Sequence, residues 1–266
     1  NNDLLTMRNV LTFLLLLFSL LCNGQSPKLF TTDKELSSSL INQIYQDRNG
    51  FIWIATEDGL NRYDGAKFTI YKHEPNNEHS LAHNFVRTVF EDSKGHLLIG
   101  TYIGIQMYDP ATDNFTPLAK LEDTGETLES NINSFIERKN GEIWVSGNVL
   151  CKLDIKDHLL TVRKVDIAVT SPGSLFEDKK QNVWMAKGEE GVYQLTPDNQ
   201  LTLHLSKDNG YVKSICEDQR GNIYVGSIRK GLFIYDKERK TFVPIDLKEK
   251  GELPVCFLYS GIPNEL

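Results

Sequence analysis

Between residues 41 and 71 the chain reads as four short apolar runs cut by polar turns. Ile41, Ile44 and their apolar neighbours predict a first strand. Asp47-Arg48-Asn49-Gly50 is a turn, because aspartate can bond its own backbone and glycine accepts positive φ. Residues 51–56 are β-branched and aromatic and predict a second strand, followed by the tight turn Glu57-Asp58-Gly59. Residues 60–63 give a third strand, Asp64-Gly65 turns it, and residues 67–71 give a fourth.

The unit returns from Val86, Ile132, Ser174 and Val212. Its turn position holds Asp47, Asp92, Arg138, Asp178 and Asp218, separated by 45, 46, 40 and 40 residues. That period, with several short strands per unit, predicts an all-β fold, a β-propeller built from four-stranded antiparallel blades. The repeats lie near 41–71, 86–118, 132–165, 174–205 and 212–245, and 250–266 reads as the start of a truncated blade through its apolar run Val255-Cys256-Phe257-Leu258-Tyr259. At about 43 residues per blade, five to six blades are present and the propeller is incomplete. Phe30 to Thr32 aligns with a fourth strand, so in a closed ring it could complete the last blade.

The residues that define the repeat are Asp47, Gly50, Trp53, Gly59, Tyr63 and Asp64 in the first copy and Asp92, Gly95 and Gly104 in the second. Trp144 and Trp184 mark the third and fourth, and Asp218, Gly221 and Gly231 the fifth. The second-strand aromatic position runs Trp53, Leu98, Trp144, Trp184, Tyr224. A tryptophan stripe could stack sugars, but one fixed position in consecutive repeats is explained by packing between neighbouring sheets. Arg138 replaces the turn aspartate of the third copy, and Gln181 the glycine of the fourth.

Charge narrows the functional classes. The 266 residues carry 29 Lys+Arg against 36 Asp+Glu, a net charge of −7, so no blanket attraction to nucleic acid is expected. Four cysteines are too few for a disulfide scaffold, and buried thiols on strands are the simpler reading of Cys151, Cys216 and Cys256. The front of the chain is different in kind: Met7, Arg8, an apolar stretch from Val10 to Leu21, then small or polar residues. This is the layout of a secretory signal cleaved near Gly24, with residues 1–24 outside the propeller and 25–266 within it. A lipoprotein signal at Cys22 ranks second because Leu21 stands where a small residue is expected.

No nucleophile elbow, phosphate-binding loop, HExxH or kinase signature occurs. His73, His79 and His83 share one connector of loop composition, which reads as a polar connector and not a metal site. The pairs Glu91-Asp92, Glu177-Asp178 and Glu217-Asp218 recur with the repeat, so they are assigned to turns and solvent and not to catalysis. In an up-and-down blade the second-to-third turn and the connector to the next blade share one end of the strands. That end collects Glu57, Asp58, Tyr102, Arg229 and Lys230, at positions that vary between copies, and it is the predicted ligand-binding face. Tyr102 and Arg229 are the leading stacking and hydrogen-bonding groups there.

The pattern D-x-x-G-x-x-W-x-x-T-x-x-G-L-x-x-Y-D…F, intact as Asp47, Gly50, Trp53, Thr56, Gly59, Leu60, Tyr63, Asp64 and Phe68, resembles the two-component regulator propeller repeat. The connector His79-Ser80-Leu81-Ala82-His83-Asn84 is similar to that family's blade connector, and the likeness runs from about Phe30 to Phe242. The resemblance implies the N-terminal periplasmic sensor region of a hybrid two-component histidine kinase of the Bacteroidetes type. It implies a non-catalytic ligand-sensing module, without cofactor or metal, that responds to oligosaccharides in polysaccharide use. Its implied partners are the C-terminal sensor, membrane and kinase regions of the same protein, with a homodimer formed by the full-length sensor. Two alternatives stay open: an exported lyase similar to the streptogramin lyases, with His73, His79 and His83 as its acid–base cluster, and a plain protein-interaction propeller.

Overall fold

The alternating runs form the strands they predict. In the computed structural model, which describes residues 29–32, 35–205 and 210–246, the first repeat holds β1 (Ile41–Gln46), β2 (Ile52–Thr56), β3 (Gly59–Tyr63) and β4 (Phe68–Tyr71). These four strands are hydrogen-bonded in chain order and antiparallel. Sheets at residues 86–115, 134–164, 175–205 and 212–244 repeat the arrangement, giving five blades among the described residues. The N-terminal segment read as a secretory signal, with Cys22, and residues 250–266 with Cys256, lie outside the described residues.

One feature departs from the sequence reading. The third blade has five strands, because Lys120–Leu121 in the preceding connector pairs in parallel with Thr161 and Val162. The connector turns back on itself through a bridge between Lys120 and Thr127, and so covers an outer edge that would otherwise present unpaired backbone groups. Phe30, aligned in sequence with a fourth strand, has its ring on the first blade, 5.2 Å from that of Tyr63 and 5.0 Å from that of Phe68, where apolar rings offer it cover.

The core lies between sheets. Four apolar clusters join consecutive blades, the first of them packing Trp53, Leu60 and Tyr71 of blade one on Val86, Val89 and Ile99 of blade two. Trp53, Leu98, Trp144 and Trp184 are 1%, 0%, 4% and 1% exposed, as inter-sheet packing requires. Close approach also needs a small residue two positions further on, filled by Ala55, Gly100, Ser146 and Ala186. A Cβ on Gly100 would stand 2.6 Å from methyl carbons of both Ile132 and Thr88. Cys151 is buried, which pushes its thiol up to about 11, and Cys216 is half-buried and shifted up for the same reason.

Candidate functional site

The strands run between two ends of different construction. One end carries the Asp-x-x-Gly turns, the other the connectors and second-to-third turns.

At the turn end the aspartates are buried, which corrects their assignment to solvent: Asp47, Asp92 and Asp178 are 9%, 3% and 5% exposed. Asp47 Oδ1 accepts the backbone N–H groups of Asn49 and Phe51, both at 3.0 Å, while Oδ2 accepts the Trp53 indole N–H at 2.8 Å. Asp178 does the same for Lys180, Asn182 and Trp184, each at 2.9 Å. The carboxylate thus locks the turn and anchors the core indole in one step. Where the indole is missing, another donor takes its place: His96 Nδ1 lies 2.7 Å from Asp92, and the Tyr224 hydroxyl 3.2 Å from Asp218. In the third copy Arg138 stands 4.6 Å over the Trp144 ring, and the indole donates to Glu142 at 3.1 Å instead. Burial raises the Asp218 carboxyl, but hydrogen bonds from Asn222 and Arg220 outweigh it and hold the group below the usual carboxylate range.

The glutamate before each turn ties blades together. Glu91, Glu137, Glu177 and Glu217 accept the backbone N–H of Arg48, Ser93, Lys139 and Lys179 of the preceding blade, at 2.8, 2.6, 2.7 and 3.1 Å. Lys139 and Lys179 also reach the next turn's carbonyls with their ammonium groups. Recurrence of the acidic pairs therefore has a structural cause, a clasp made at four successive interfaces. A shallow cleft of about 560 Å³ lies along it, lined by Tyr45, Arg48, Phe90, Glu91, Ser93 and Glu137 among others.

Between blades one and two, Arg62 is enclosed by aromatic faces. Its guanidinium carbon is 5.2 Å from the Phe51 ring centre and 5.7 Å from that of Trp53. It donates to the Tyr108 hydroxyl and to Asp113 Oδ1 at 3.0 Å, and Tyr71 and Tyr108 each donate to that same oxygen at 2.6 Å. Burial pushes both tyrosine hydroxyls up; Asp113 is also raised by burial, yet its three donors hold it below the ordinary range. Spacing could not reveal this cluster, since Arg62 and Asp113 come from different repeats and neither belongs to the repeat pattern.

At the opposite end, in the first, second and fifth blades, the second-to-third turn is bonded to the segment that enters its own blade. Glu57 N–H donates to Leu40 O, Tyr102 N–H to Phe85 O and Ile228 N–H to Tyr211 O. The residues predicted as a ligand face thus share one end, on three separate blades. Glu57 is exposed, whereas Asp58 is engaged by Lys72 at 2.6 Å and Asn84 at 3.0 Å and secures the connector. Tyr102 is 52% exposed, with the rings of His83 at 5.5 Å and Phe85 at 6.1 Å, and the Arg87 guanidinium lies 5.4 Å from the Phe85 ring. Arg229 is exposed and pairs with Glu189 at 3.4 Å, and the Lys230 backbone N–H donates to Ser227 Oγ. Phe85, Arg87 and the exposed Tyr211 are additions the sequence did not single out. The connector histidines are turned to backbone groups: His73 Nδ1 to Leu81 O, His79 Nδ1 to Phe115 O, and His83 Nδ1 to the Phe85 N–H. Their arrangement is that of a folded connector.

Stacked four-stranded sheets joined by clasps of this kind define a β-propeller. The two-component regulator propeller family matches the chain at residues 35–58, 80–102 and 206–229. A curated relative, histidine kinase P4 of Formosa agariphila, is 39% identical over 83 residues, 29% of this chain and 6% of that protein. The extracellular domain assigned to a one-component system of B. thetaiotaomicron superposes with a TM-score of 0.66 at 18% identity, covering 84% of this chain and 33% of that one. Virginiamycin B lyase from Staphylococcus aureus superposes with a TM-score of 0.60 at 13% identity, covering 85% of this chain and 74% of the lyase. At these identities the solved structures share the fold. The chain spans a small part of the kinase and about a third of the extracellular domain it matches.

Proposed function

We propose that this propeller is a non-catalytic, periplasmic ligand-sensing module of a hybrid two-component histidine kinase, and that its ligands are oligosaccharides. The repeat match, supported by the similarity to a protein named as a histidine kinase, carries the reading. The ligand face is the connector end, where Tyr102 offers an exposed ring backed by His83 and Phe85. Glu57 on the neighbouring blade, and Arg229 and Lys230 on the fifth blade, add hydrogen-bonding groups at the same end. A ligand that binds one arrangement of the sensor better than another biases a dimer toward it, and transmission needs membrane and kinase regions outside this sequence.

Thermal unfolding against a panel of neutral and acidic oligosaccharides tests the reading. At about 100-fold excess over Kd a true ligand adds roughly 2.7 kcal/mol of stability, which is lost in Tyr102→Ala. Failure of every oligosaccharide, together with turnover of a cyclic substrate in the presence of a divalent metal, would favour the lyase alternative.

A further inference from the structure

Two buried side-chain atoms close to Tyr102 have no hydrogen-bond partner among the described residues: Arg87 Nε, a donor, and Asn131 Oδ1, an acceptor. Leaving such atoms unpaired is costly, and each calls for a group that completes it. Both lie on segments that meet at Tyr102. The Tyr102 N–H donates to Phe85 O at 3.0 Å, two residues before Arg87. On the other side Thr101 and Ile103 accept the N–H groups of Ile132 and Ser130 at 3.0 and 3.3 Å, which sets Asn131 beside Tyr102. The third blade's turn holds that segment in place, since Ser130 Oγ accepts the Asn148 N–H at 2.9 Å and a Cβ on Gly147 would stand 2.7 Å from Asn131 O. Arg87 is also unlike its counterparts. Five positions before the turn residue, Asn42 and Asn133 commit their amides to Val86 O and Pro172 O at the entry to the following blade, at 2.8 and 3.1 Å. The Arg87 guanidinium lies instead 5.4 Å from the Phe85 ring. Arg62 and Arg138, the other half-buried arginines among the described residues, hold the carboxylates of Asp113 and Glu177, whereas Arg87 holds none among them.

We propose that the seam between blades two and three, at the connector end, is a subsite for an anionic sugar unit, one that carries a carboxylate or a sulfate. The inference rests on the sensing role proposed above and narrows its ligand class. The exposed Tyr102 ring takes the apolar face of the sugar, the Arg87 guanidinium its oxyanion, and Asn131 Oδ1 the proton of a hydroxyl. A planar guanidinium that is half-buried over a ring, with no carboxylate of its own, gains most from a bidentate oxyanion. The preference is local to this seam, because a chain of net charge −7 offers anions no general attraction.

The test is calorimetric titration of the full chain with three probes of equal length: a neutral galacto-oligosaccharide, an oligogalacturonate and a sulfated galacto-oligosaccharide. The expected result is that one of the two anionic probes binds about tenfold more tightly than the neutral one, and which of them does so tells carboxylate from sulfate. Arg87→Met, which keeps the stem over Phe85, should erase that preference without changing Tm or the affinity for the neutral probe, and Arg87→Lys should restore part of it. Asn131→Ala should weaken the preferred probe several-fold while the preference for an anion remains. Equal affinity for all three probes, or an anionic preference that survives Arg87→Met, overturns the subsite and leaves the sensing role standing. Absence of binding by all three also overturns it, and the sensing role falls with it only if the wider oligosaccharide panel fails too.

Discussion

Replacing Asp178 with asparagine keeps the shape of the fourth blade's turn and changes only what its second oxygen offers. Oδ1 can still receive the backbone N–H groups of Lys180 and Asn182, but the new amide points N–H groups at the Trp184 indole N–H and the Asn182 side-chain amide, now 2.9 and 2.8 Å from Oδ2. Two buried donors lose their acceptor at once, around an indole that is 1% exposed. At about 1–3 kcal/mol for each buried donor left unpaired, the expected loss is about 3 kcal/mol. For a chain of this size that lowers Tm by roughly 6–12 °C. The assay is thermal unfolding at neutral pH followed by tryptophan fluorescence, with Asp64→Asn as the control. Asp64 caps an exposed turn through Ala66 and Lys67 and holds no indole, so its variant should move Tm little. Coupling is read from Asp178→Asn combined with Trp184→Phe: the double variant should cost less than the sum of the singles. Equal shifts for Asp178→Asn and Asp64→Asn, or strict additivity in the cycle, would refute the anchoring of the Trp184 indole by the turn carboxylate.

Three other outcomes are expected. The hydrogen bond from Lys152 holds the Glu142 carboxyl down to about 2, against 4.5 for the free side chain. A depressed carboxyl stabilises the fold above its unfolded value, so this contribution is present above about 4.5 and is lost as pH falls toward about 2; Glu142→Gln should flatten the unfolding midpoint across that window, and an unchanged acid profile counts against it. Gln181 holds φ at 67°, where other copies use glycine, so Gln181→Gly should raise stability by about 0.5–1 kcal/mol in a denaturant titration, and a decrease would contradict the strain argument. Asp113→Ala should leave Arg62 without its carboxylate and the Tyr71 and Tyr108 hydroxyls without their acceptor; because the Asp113 side chain is half exposed the loss is about 1–2 kcal/mol, and no measurable loss would mean the cluster is not a coupled unit.

The strand pattern was legible because each repeat restates it. Period-two alternation and turn residues placed β1 to β4 within a residue or two, and the fixed aromatic position anticipated burial of Trp53 and Trp184. What one repeat cannot display is a contact between two of them. The turn aspartates read as solvent-facing because Asp-x-x-Gly alone is a surface turn; the side-chain donor four or six residues later, an indole for Asp47 and Asp178 and His96 for Asp92, accompanies the burial of the carboxylate. Arg62 and Asp113 meet across a blade boundary, 51 residues apart, with nothing in either local pattern to mark them. The parallel strand Lys120–Leu121 escaped for a related reason, since its partner lies in the next repeat and its own two residues have no period. At the connector end, the loop argument selected Tyr102, while its neighbours Phe85 and Arg87 lie on the segment entering the blade and were passed over as strand.

Hydrogen exchange read by mass spectrometry, with and without the oligosaccharide that most raises Tm, tests the central claim most directly. The account predicts added protection at the connector end, in peptides containing residues 83–87, Tyr102 and Arg229-Lys230. Protection confined to the opposite end, along the cleft of Tyr45, Arg48 and Glu91, would contradict it.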